Sequence, residues 1–340
     1  MIMLQFRKHS RLVALFLLVL TVIVGPGTGC RQREKQAGPP EKITIAYSTA
    51  SNAILMYIAL AKDYFAQEGL NVTPQPHDFG KPALQEVIDG KADIATVGDT
   101  PIVFAVMNGK KILTLAVIQT SNKNEAIVAR RDRGIAKPSD LKGKKIGLTL
   151  GTTGHFFMEA FLQANGIDKK HVKIIGMKPD EMAAALTTGK VDAVSTWNPT
   201  LIQLKKKLGS EGILFFGESL YTEHFCVVAG QEYVKKNPGA TKKVLRALVK
   251  AETFVQQHPE ESRRLVAKFI KTDKVTLNEI WDIFTLRVSL DQALIVDLED
   301  QTRWAMKYRL TTRRDMPNYL DFIYTDGLQA VKPEAVRIIR

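Results

Sequence analysis

Short apolar runs alternate with segments of helical spacing through the first two thirds of the chain. Residues 43–47 alternate apolar and polar side chains as a strand does, and residues 53–68 carry apolar side chains at helical intervals before Gly69. This order continues through 112–117 and begins again at 145–149. The pattern predicts α/β units around largely parallel sheets, with a ligand crevice at the carboxyl ends of the strands.

Two similar stretches stand about a hundred residues apart. Residues 90–101 (GKADIATVGDTP) and 189–199 (GKVDAVSTWNP) each turn at Gly, continue through a short apolar strand and end in small polar residues before Pro. Because Pro is tolerated at the start of a helix, both predict a strand, a loop and a helix whose free N–H groups and positive dipole end face the crevice. We expect two lobes that close on a small anionic or polar ligand.

The last hundred residues follow a different pattern, with apolar side chains recurring at three and four positions. They predict helices at 240–257, 259–271, 276–286 and 290–309. We expect this helical tail to pack on the first lobe, and it carries no evident chemistry.

The N-terminus has a basic start, an apolar run at 12–24 and a Gly-rich stretch before Cys30. The run is shorter than the roughly 20 residues of a membrane-spanning helix, which predicts a signal peptide at 1–29. Small residues before Cys30 resemble the bacterial lipoprotein motif, in which this Cys is lipidated, although the motif prefers an aliphatic residue where Gly27 stands. The alternative is cleavage after Gly29 to give a soluble exported protein. Residues 30–41 predict a lipidated Cys with a flexible tether that spans at most about 40 Å.

Charge and cysteine content narrow the function further. The formal net charge is +13, and three positive residues lie in the predicted leader. The remaining Lys and Arg are interspersed with acids, which argues against nucleic-acid binding and favours steering of an anionic solute or a position near anionic lipid. Besides Cys30 the chain has only Cys226, in an apolar run that predicts a buried thiol. No Cys or His cluster has metal-ligand spacing, so we expect no metal and no cofactor.

The Gly-rich turn at 151–155 (GTTGH) opens a predicted helix. It lacks the Lys-Ser/Thr ending of a Walker loop, but its N–H groups, two hydroxyls and His155 suit a sulfonate, phosphate, nitrate or carboxylate. The alternative is that Gly and Thr serve the geometry of the turn alone.

Other candidates have similar alternatives. Asp99 is either favoured at a helix start by capping and the dipole or is a partner for a ligand's amino group. Trp197 is either a core aromatic or a ring that covers a small organic ligand. His155 and His224 are either structural or donors to an anion. The chain shows no nucleophile elbow, Cys–His pair or carboxylate pair, so we do not expect an enzyme.

Together these motifs resemble a known family. The resemblance rests on residues 57–70 (YIALAKDYFAQEGL), 90–95 (GKADIA), 98–101 (GDTP), 140–147 (DLKGKKIG), 151–155 and 197–199 (WNP), and it covers about 43–251. The chain resembles the periplasmic solute-binding proteins of ABC importers for taurine, aliphatic sulfonates, nitrate and thiamine-pyrimidine precursors.

The resemblance implies a type II periplasmic-binding-protein fold, with two α/β lobes joined by two crossing strands. Lobe I would comprise 42–128 and 224–340, and lobe II 129–223. It also implies an exported monomer that passes its ligand to a membrane permease and its ATPase. The implied ligand contacts are Ser48, Thr49, Ser51, Asn52, Gly98, Asp99, Thr100, Thr120, Ser121, Gly151, Thr152, Thr153, Gly154, His155, Trp197 and Asn198.

The GTTGH and WNP turns look closest to those of taurine and sulfonate binders. One departure is Asp99, where taurine binders have small hydroxyl residues. An acid there would repel a sulfonate unless the ligand also carries a cation. Nitrate, bicarbonate and a thiamine-pyrimidine precursor therefore remain alternatives. A pyrimidine-synthase-like enzyme on the same scaffold, or a sensor, is a further hypothesis; those enzymes use a Cys-rich segment that this chain lacks.

Overall fold

Two β-sheets organise the chain in the computed structural model, which describes residues 39–270 and 272–339. The predicted signal peptide, Cys30 and most of the tether lie outside the described residues. The strands are β1 (Glu41–Ser48), β2 (Leu70–His77), β3 (Ile94–Gly98), β4 (Ile112–Ser121), β5 (Glu125–Arg130), β6 (Lys145–Leu148), β7 (Lys173–Gly176), β8 (Ala193–Trp197), β9 (Gly212–Phe215), β10 (Glu223–Gly230), β11 (Thr285–Asp291) and β12 (Val336–Arg337).

The helices fill the connections between these strands. They are α1 (Ile54–Ala61), α2 (Tyr64–Gln67), α3 (Gly80–Ile88), α4 (Asp99–Met107), α5 (Thr153–Ala164), α6 (Met182–Thr187), α7 (Thr200–Leu208), α8 (Gln231–Lys236), α9 (Pro238–Gln257), α10 (Pro259–Phe269), α11 (Lys274–Trp281), α12 (Gln292–Lys307) and α13 (Thr325–Val331). The helix predicted over 53–68 is divided at Asp63, which has a left-handed φ of 54°. Among the residues described, no helix is both long and apolar enough to cross a bilayer.

The first lobe is built on a seven-stranded sheet in the order β12-β11-β4-β10-β3-β1-β2. The second lobe is built on a five-stranded sheet in the order β7-β6-β8-β5-β9. The chain passes between the lobes after β4 and again before β10. Residues 125–130 lie entirely in the five-stranded sheet, whereas the sequence analysis divides the chain at residue 128.

Strand direction differs from the expectation of largely parallel sheets. Parallel pairing joins β1 to β2 and β3, and β6 to β7 and β8. The strands β5 and β10 run antiparallel to their neighbours. The reason is topological: each of them follows a crossing from the other lobe and enters its sheet from the cleft end. Polar residues at the starts of β5 and β10 therefore lie beside the ends of β8 and β3.

The helical tail also contains a strand that the sequence analysis missed. Residues 276–286 were expected to be helical, but α11 ends at Trp281 and β11 pairs antiparallel with β4. Its sequence TLRVSLD alternates polar and apolar side chains, and Val288 and Leu290 are fully buried. The alternating sequence, with residues 288–290 buried beside β4, outweighs the helical spacing of the flanking segments. The tail thus completes the first sheet as well as covering it.

Each lobe has its own hydrophobic core. One large core fills both sides of the seven-stranded sheet, and two smaller cores lie on the faces of the five-stranded sheet. The predicted buried thiol, Cys226, lies in the first of these cores and is free. Because the cores are separate, each lobe presents a preformed face to the cleft between them.

Candidate functional site

The two lobes meet where several strands end. The carboxyl ends of β1, β3, β6 and β8 all point into one cleft, as expected for α/β sheets. A Cβ built on Gly98 would lie 2.8 Å from the Thr153 methyl group, so the turn before α4 rests directly on the start of α5. The helix start predicted after Gly98 and the GTTGH turn therefore come together, and the second repeated stretch adds Trp197 to the same cleft.

A small chamber lies at this meeting point, with a volume of about 20 Å³. We call it the inner chamber. Its walls come from both lobes and mix hydroxyl, amide, carboxyl, ammonium and aromatic groups. They are Ser48, Ala50, Asn52, Phe79, Gly80, Lys81, Gly98, Pro101, Thr152, Thr153, Trp197, Glu223 and Phe225.

The loop after β1 connects the lobes through its side chains. Ser51 donates its hydroxyl to the carbonyl of Asn198 in the second lobe, at 2.8 Å. Asn52 donates its amide to Glu223 Oε1 at 3.0 Å, and its own Oδ1 is buried without a hydrogen-bond partner. Ser48 Oγ accepts from the N–H of Ala50. Thr49 donates its hydroxyl to the carbonyl of His77 instead and so stabilises the conformation of the loop.

Glu223 is the carboxyl group of the inner chamber. Its Oε2 accepts from Asn124 at 2.8 Å, so both of its oxygens are engaged by amide groups. Burial and the nearby Asp99 raise the pKa of Glu223 to about 8. Burial, followed by the charge of Glu223, also raises the pKa of Glu125 well above its usual range. At neutral pH the chamber therefore holds a largely protonated carboxylic acid, which can donate a hydrogen bond.

Asp99 lies behind the chamber wall. It is fully buried and accepts from the Tyr221 hydroxyl, from the backbone N–H of His224 at 3.2 Å and from that of Thr100 at 2.8 Å. Burial lowers the pKa of His224, but the carboxylates of Asp99 and Asp297 outweigh it and the net shift is upward. The structure thus pairs Asp99 with protein groups. Its chamber-facing neighbour is Gly98.

Some residues of the second-lobe turn at 151–155 line the chamber, and others support its wall. Thr152 and Thr153 line the chamber, and Thr152 donates its hydroxyl to the carbonyl of Thr149 at 2.7 Å. Gly154 packs against the Trp197 ring, where an added Cβ would lie 3.5 Å away, and its carbonyl accepts from Ser195 at 2.8 Å. The added Cβ would also lie 3.3 Å from the Ser195 carbonyl oxygen, so α5 packs closely against β8 at this residue.

His155 lies outside the chamber and supports the turn. Its Nδ1 accepts from the N–H of Gly151 at 3.2 Å, and its ring meets Trp304 edge-on at 5.0 Å. Burial, together with the charges of Lys169 and Lys81, lowers the pKa of His155 to about 4. The imidazole is therefore neutral at physiological pH and offers no positive charge to an anion.

Of the remaining predicted residues, Trp197 lines the chamber and the others do not. Trp197 lines it, 5.9 Å from Phe79 between ring centroids, and Asn198 contributes its carbonyl to the Ser51 contact. Thr100 is turned away and donates to Gln301 at 2.6 Å. Thr120 and Ser121 lie in β4; Thr120 pairs with His224, and Ser121 Oγ accepts from the N–H of residue 123. Neither of these two lines the chamber.

Three important wall residues were not predicted. Lys81 donates its ammonium to the carbonyl of Leu150 in the second lobe at 2.8 Å, and burial lowers its pKa. Its position, directly after Gly80 at the start of α3, is the sequence signal that was available. The sequence gives less indication that Phe79 and Glu223 line the chamber. Each lies at the end of an element that reaches the cleft only in the folded chain.

Within the described residues, no group of three or more His, Cys, Asp or Glu side chains is arranged to hold a metal ion. The chamber instead combines one cation, a helix start, hydroxyls, a neutral acid and aromatic faces. Such a set can bind a small polar solute and shield it from water.

Known proteins resemble this chain in sequence and in fold. Residues 50–262 match the model of the NMT1/THI5-like family. A Bacillus subtilis protein named for aliphatic-sulfonate binding is 28% identical over 272 residues, 78% of this chain and 81% of that protein. The alkanesulfonate-binding protein SsuA of Xanthomonas axonopodis pv. citri, solved with MOPS bound, gives a TM-score of 0.75 at 19% identity, over 85% of this chain and 99% of that one.

These likenesses confirm the predicted two-lobe periplasmic-binding-protein fold. The same fold also occurs in an enzyme: the desulfurization enzyme DSZB gives a TM-score of 0.64 at 13% identity, over 86% of this chain and 99% of that one. The fold alone therefore does not decide between binding and catalysis.

Proposed function

Because the chain belongs to the NMT1/THI5-like family, we propose that it is the solute-binding component of an ABC importer and that its solute is a small organosulfonate of the taurine type. The observation that carries the proposal is the inner chamber, where the start of α5 meets the turn at Gly98 across the cleft. With the lobes in contact the chamber measures only about 20 Å³, so a solute enters while the lobes are apart and then contacts both of them at once. Its binding therefore favours lobe closure.

The chamber has the chemistry that an anionic head group needs. The first N–H groups of α5, at Thr153 and Gly154, have no partner within the helix, and the positive end of the dipole faces the chamber. Lys81 supplies a positive charge, and Glu223 in its protonated form supplies a donor. A sulfonate has three acceptor oxygens, so it can engage all of these groups.

We propose binding without catalysis. The residues that line the inner chamber include no thiol and no imidazole. Cys226 is buried in β10, and His155 and His224 are engaged by Gly151 and the carboxylates behind the wall. A nucleophile paired with a base is the usual requirement for covalent catalysis. In this chamber the Thr152 hydroxyl and the Lys81 ammonium group donate instead to the backbone carbonyls of Thr149 and Leu150.

We further propose that the protein is exported and works at the outer face of the membrane, held there by lipid on Cys30, and that it acts as a monomer. An importer permease with its ATPase would receive the solute. Labelling with a palmitate analogue tests the anchor, since a Cys30→Ala variant should lose the label.

Isothermal titration calorimetry tests the function directly. Taurine and ethanesulfonate are expected to bind, and Lys81→Gln should weaken the binding about 10- to 100-fold, because a hydrogen bond to a charged group contributes about 1.5–3 kcal/mol. Lys235→Gln is the matched control, since Lys235 is exposed on α8 away from the cleft. If no sulfonate binds the folded protein, or if both variants behave alike, the proposal is wrong.

One observation favours a second candidate, a thiamine-pyrimidine precursor. The Oδ1 atom of Asn52 is buried without a partner, and it lies in the same chamber as the ring of Trp197 and the carboxyl group of Glu223. An aminopyrimidine could stack on Trp197 and donate its amino group to Asn52. Titration with 4-amino-5-hydroxymethyl-2-methylpyrimidine separates the candidates: binding of this compound without binding of sulfonates would select the second.

A further inference from the structure

Most of the Lys and Arg residues of the second lobe lie at the end of its sheet that is opposite the cleft. The strands β6 and β8 end at the cleft, so they begin at the far end, and β7 runs parallel to β6 with Lys173 paired to Lys145. The antiparallel strand β5 starts beside Trp197 and ends at Arg130, at this same far end. Strand direction therefore brings three segments of the chain together there: 130–145, 168–173 and 189–192.

Backbone contacts join these segments into one surface. The N–H of Lys145 donates to the Asp192 carboxylate at 2.9 Å, and the N–H of Arg130 donates to the Asp192 carbonyl at 3.1 Å. The N–H of Lys173 donates to the Lys144 carbonyl at 2.9 Å. The basic side chains of all three segments are therefore carried side by side.

Acidic groups at this end of the lobe are fewer and already engaged. The three segments contain eleven Lys and Arg residues and four Asp residues. Asp140 and Asp192 accept from backbone N–H groups. Asp132 and Asp168 form salt bridges with neighbouring basic side chains. Six exposed basic side chains form no salt bridge among the described residues, and we call them the basic face: Arg131, Arg133, Lys142, Lys145, Lys173 and Lys190.

The position of the basic face argues against a role in guiding the solute. The strand β8 alone spans five residues, about 16 Å, between this end of the sheet and the inner chamber. Charges farther apart than about 8 Å are largely screened at physiological ionic strength. Of the two roles that excess positive charge suggests here, steering of an anionic solute and a position near anionic lipid, the geometry favours the second.

The composition of the basic face also narrows its partner. The three segments contain no Phe, Tyr or Trp. A protein that binds single-stranded nucleic acid combines Lys and Arg with aromatic side chains that stack on the bases. A membrane surface needs only basic side chains spread over an exposed face, because its phosphate groups are themselves spread over a plane.

We propose that the basic face binds the anionic phospholipid head groups of a membrane surface. This rests on the proposed export to the membrane and goes beyond the lipid on Cys30, because the second lobe itself makes the contact. Each Lys or Arg near an anionic surface tightens binding about fivefold, so six of them can hold the lobe reversibly on the membrane. The cleft end of the lobe then faces away from the lipid and stays open to solute.

Sedimentation with vesicles tests the proposal on the mature chain of residues 30–340, with Cys30→Ser so that no acyl chain contributes. The chain is expected to bind vesicles of phosphatidylcholine and phosphatidylglycerol in equal parts, and not vesicles of phosphatidylcholine alone. Binding should be lost when the salt concentration rises from about 0.1 M to about 1 M, where the screening length shortens to about 3 Å.

Two triple variants locate the contact. Replacement of Lys142, Lys145 and Lys173 by Gln should weaken vesicle binding about 10- to 100-fold. Replacement of three exposed first-lobe lysines by Gln is the matched control, because it removes the same charge and should change the binding much less: Lys111, Lys235 and Lys236.

The outcomes separate this contact from the solute site. If phosphatidylglycerol does not promote binding, if both triple variants lose binding equally, or if the chain binds duplex DNA more tightly than vesicles, the lipid contact is wrong. None of the substituted lysines lines the inner chamber, so both variants should keep the parent affinity for taurine in calorimetry. Vesicle binding without sulfonate binding would support the basic face and refute the proposed solute, whereas sulfonate binding without vesicle binding would do the reverse.

Discussion

Replacing Gly98 with Ala adds one methyl group at the point where the lobes touch. The new Cβ would lie 2.8 Å from the Thr153 methyl carbon, whereas carbon atoms pack at about 3.5–4.0 Å. Its other neighbours, Glu223 and Phe225, are at ordinary distances of 3.6 and 4.0 Å within the same lobe. The methyl group is therefore accommodated in the isolated first lobe and clashes only on closure.

The cost falls on closure because the Thr153 side chain cannot turn freely. Thr153 is only 6% exposed at the start of α5, and its β-branched side chain has few alternative rotamers there. Overpacking of this kind costs about 1–3 kcal/mol, which corresponds to a loss of roughly 5- to 150-fold in solute affinity. Gly98 has φ −70° and ψ 163°, which Ala adopts without strain. We therefore expect the melting temperature without solute to change little.

Calorimetry and thermal unfolding of four variants test this reasoning. Thr153→Ser removes the clashing methyl carbon and keeps the hydroxyl, so the double variant with Gly98→Ala should recover most of the affinity. Gly230→Ala is a neutral control, since its Cβ meets nothing within 4 Å. Gly80→Ala is the opposite control: its Cβ would lie 2.7 Å from the Val97 backbone, so the melting temperature itself should fall. Full affinity in Gly98→Ala, or no recovery in the double variant, would refute the reasoning.

Three further changes address the chamber. Ser51→Ala removes the hydrogen bond to Asn198 and should weaken solute binding roughly two- to tenfold in calorimetry, as expected for about 0.5–1.5 kcal/mol. Trp197→Leu should reduce the affinity for an aminopyrimidine more than that for a sulfonate if the ring stacks on the former. The free energy of unfolding should fall as pH rises from about 4.5 to 8, because folded Glu223 keeps a proton that the unfolded chain loses, which contributes up to about 1.4 kcal/mol per pH unit. Glu223→Gln should reduce that slope in pH-dependent denaturation and leave the part due to Glu125, whose pKa is also raised.

Local sequence patterns were sufficient to predict the elements that form the chamber walls. The repeated strand-to-helix turns are marked by Gly, small polar residues and Pro, and they placed Gly98 and Trp197 at the cleft; the Gly-rich turn at 151–155 placed Thr153 there. These features depend on backbone geometry within a few residues. They can therefore be predicted without knowledge of the rest of the fold.

The direction of side chains within those turns was harder to predict. Asp99 and Thr100 follow Gly98 directly, yet they face Tyr221 and Gln301, which are more than a hundred residues away in sequence. Lys81 was missed for the converse reason, since its partner Leu150 belongs to the other lobe. A helix start shows which N–H groups are free, but the orientation of neighbouring side chains depends on distant packing.

A carboxyl group at the chamber explains how an acid-containing site can receive an anion. Glu223 begins β10 after the second crossing between the lobes, Asn124 ends the first crossing, and Asn52 belongs to the loop after β1. One carboxyl group thus links both crossings to the chamber wall. Asp99 lies behind it, 3.7 Å from the His224 ring nitrogen, and burial together with Asp99 raises the pKa of Glu223 to about 8. Keeping the proton avoids the cost of a buried charge, and the protonated group presents a donor to the solute. Asp99 therefore does not face the solute directly, because it is fully buried behind the chamber wall. The acid that reaches the chamber is Glu223, whose raised pKa of about 8 favours the neutral form.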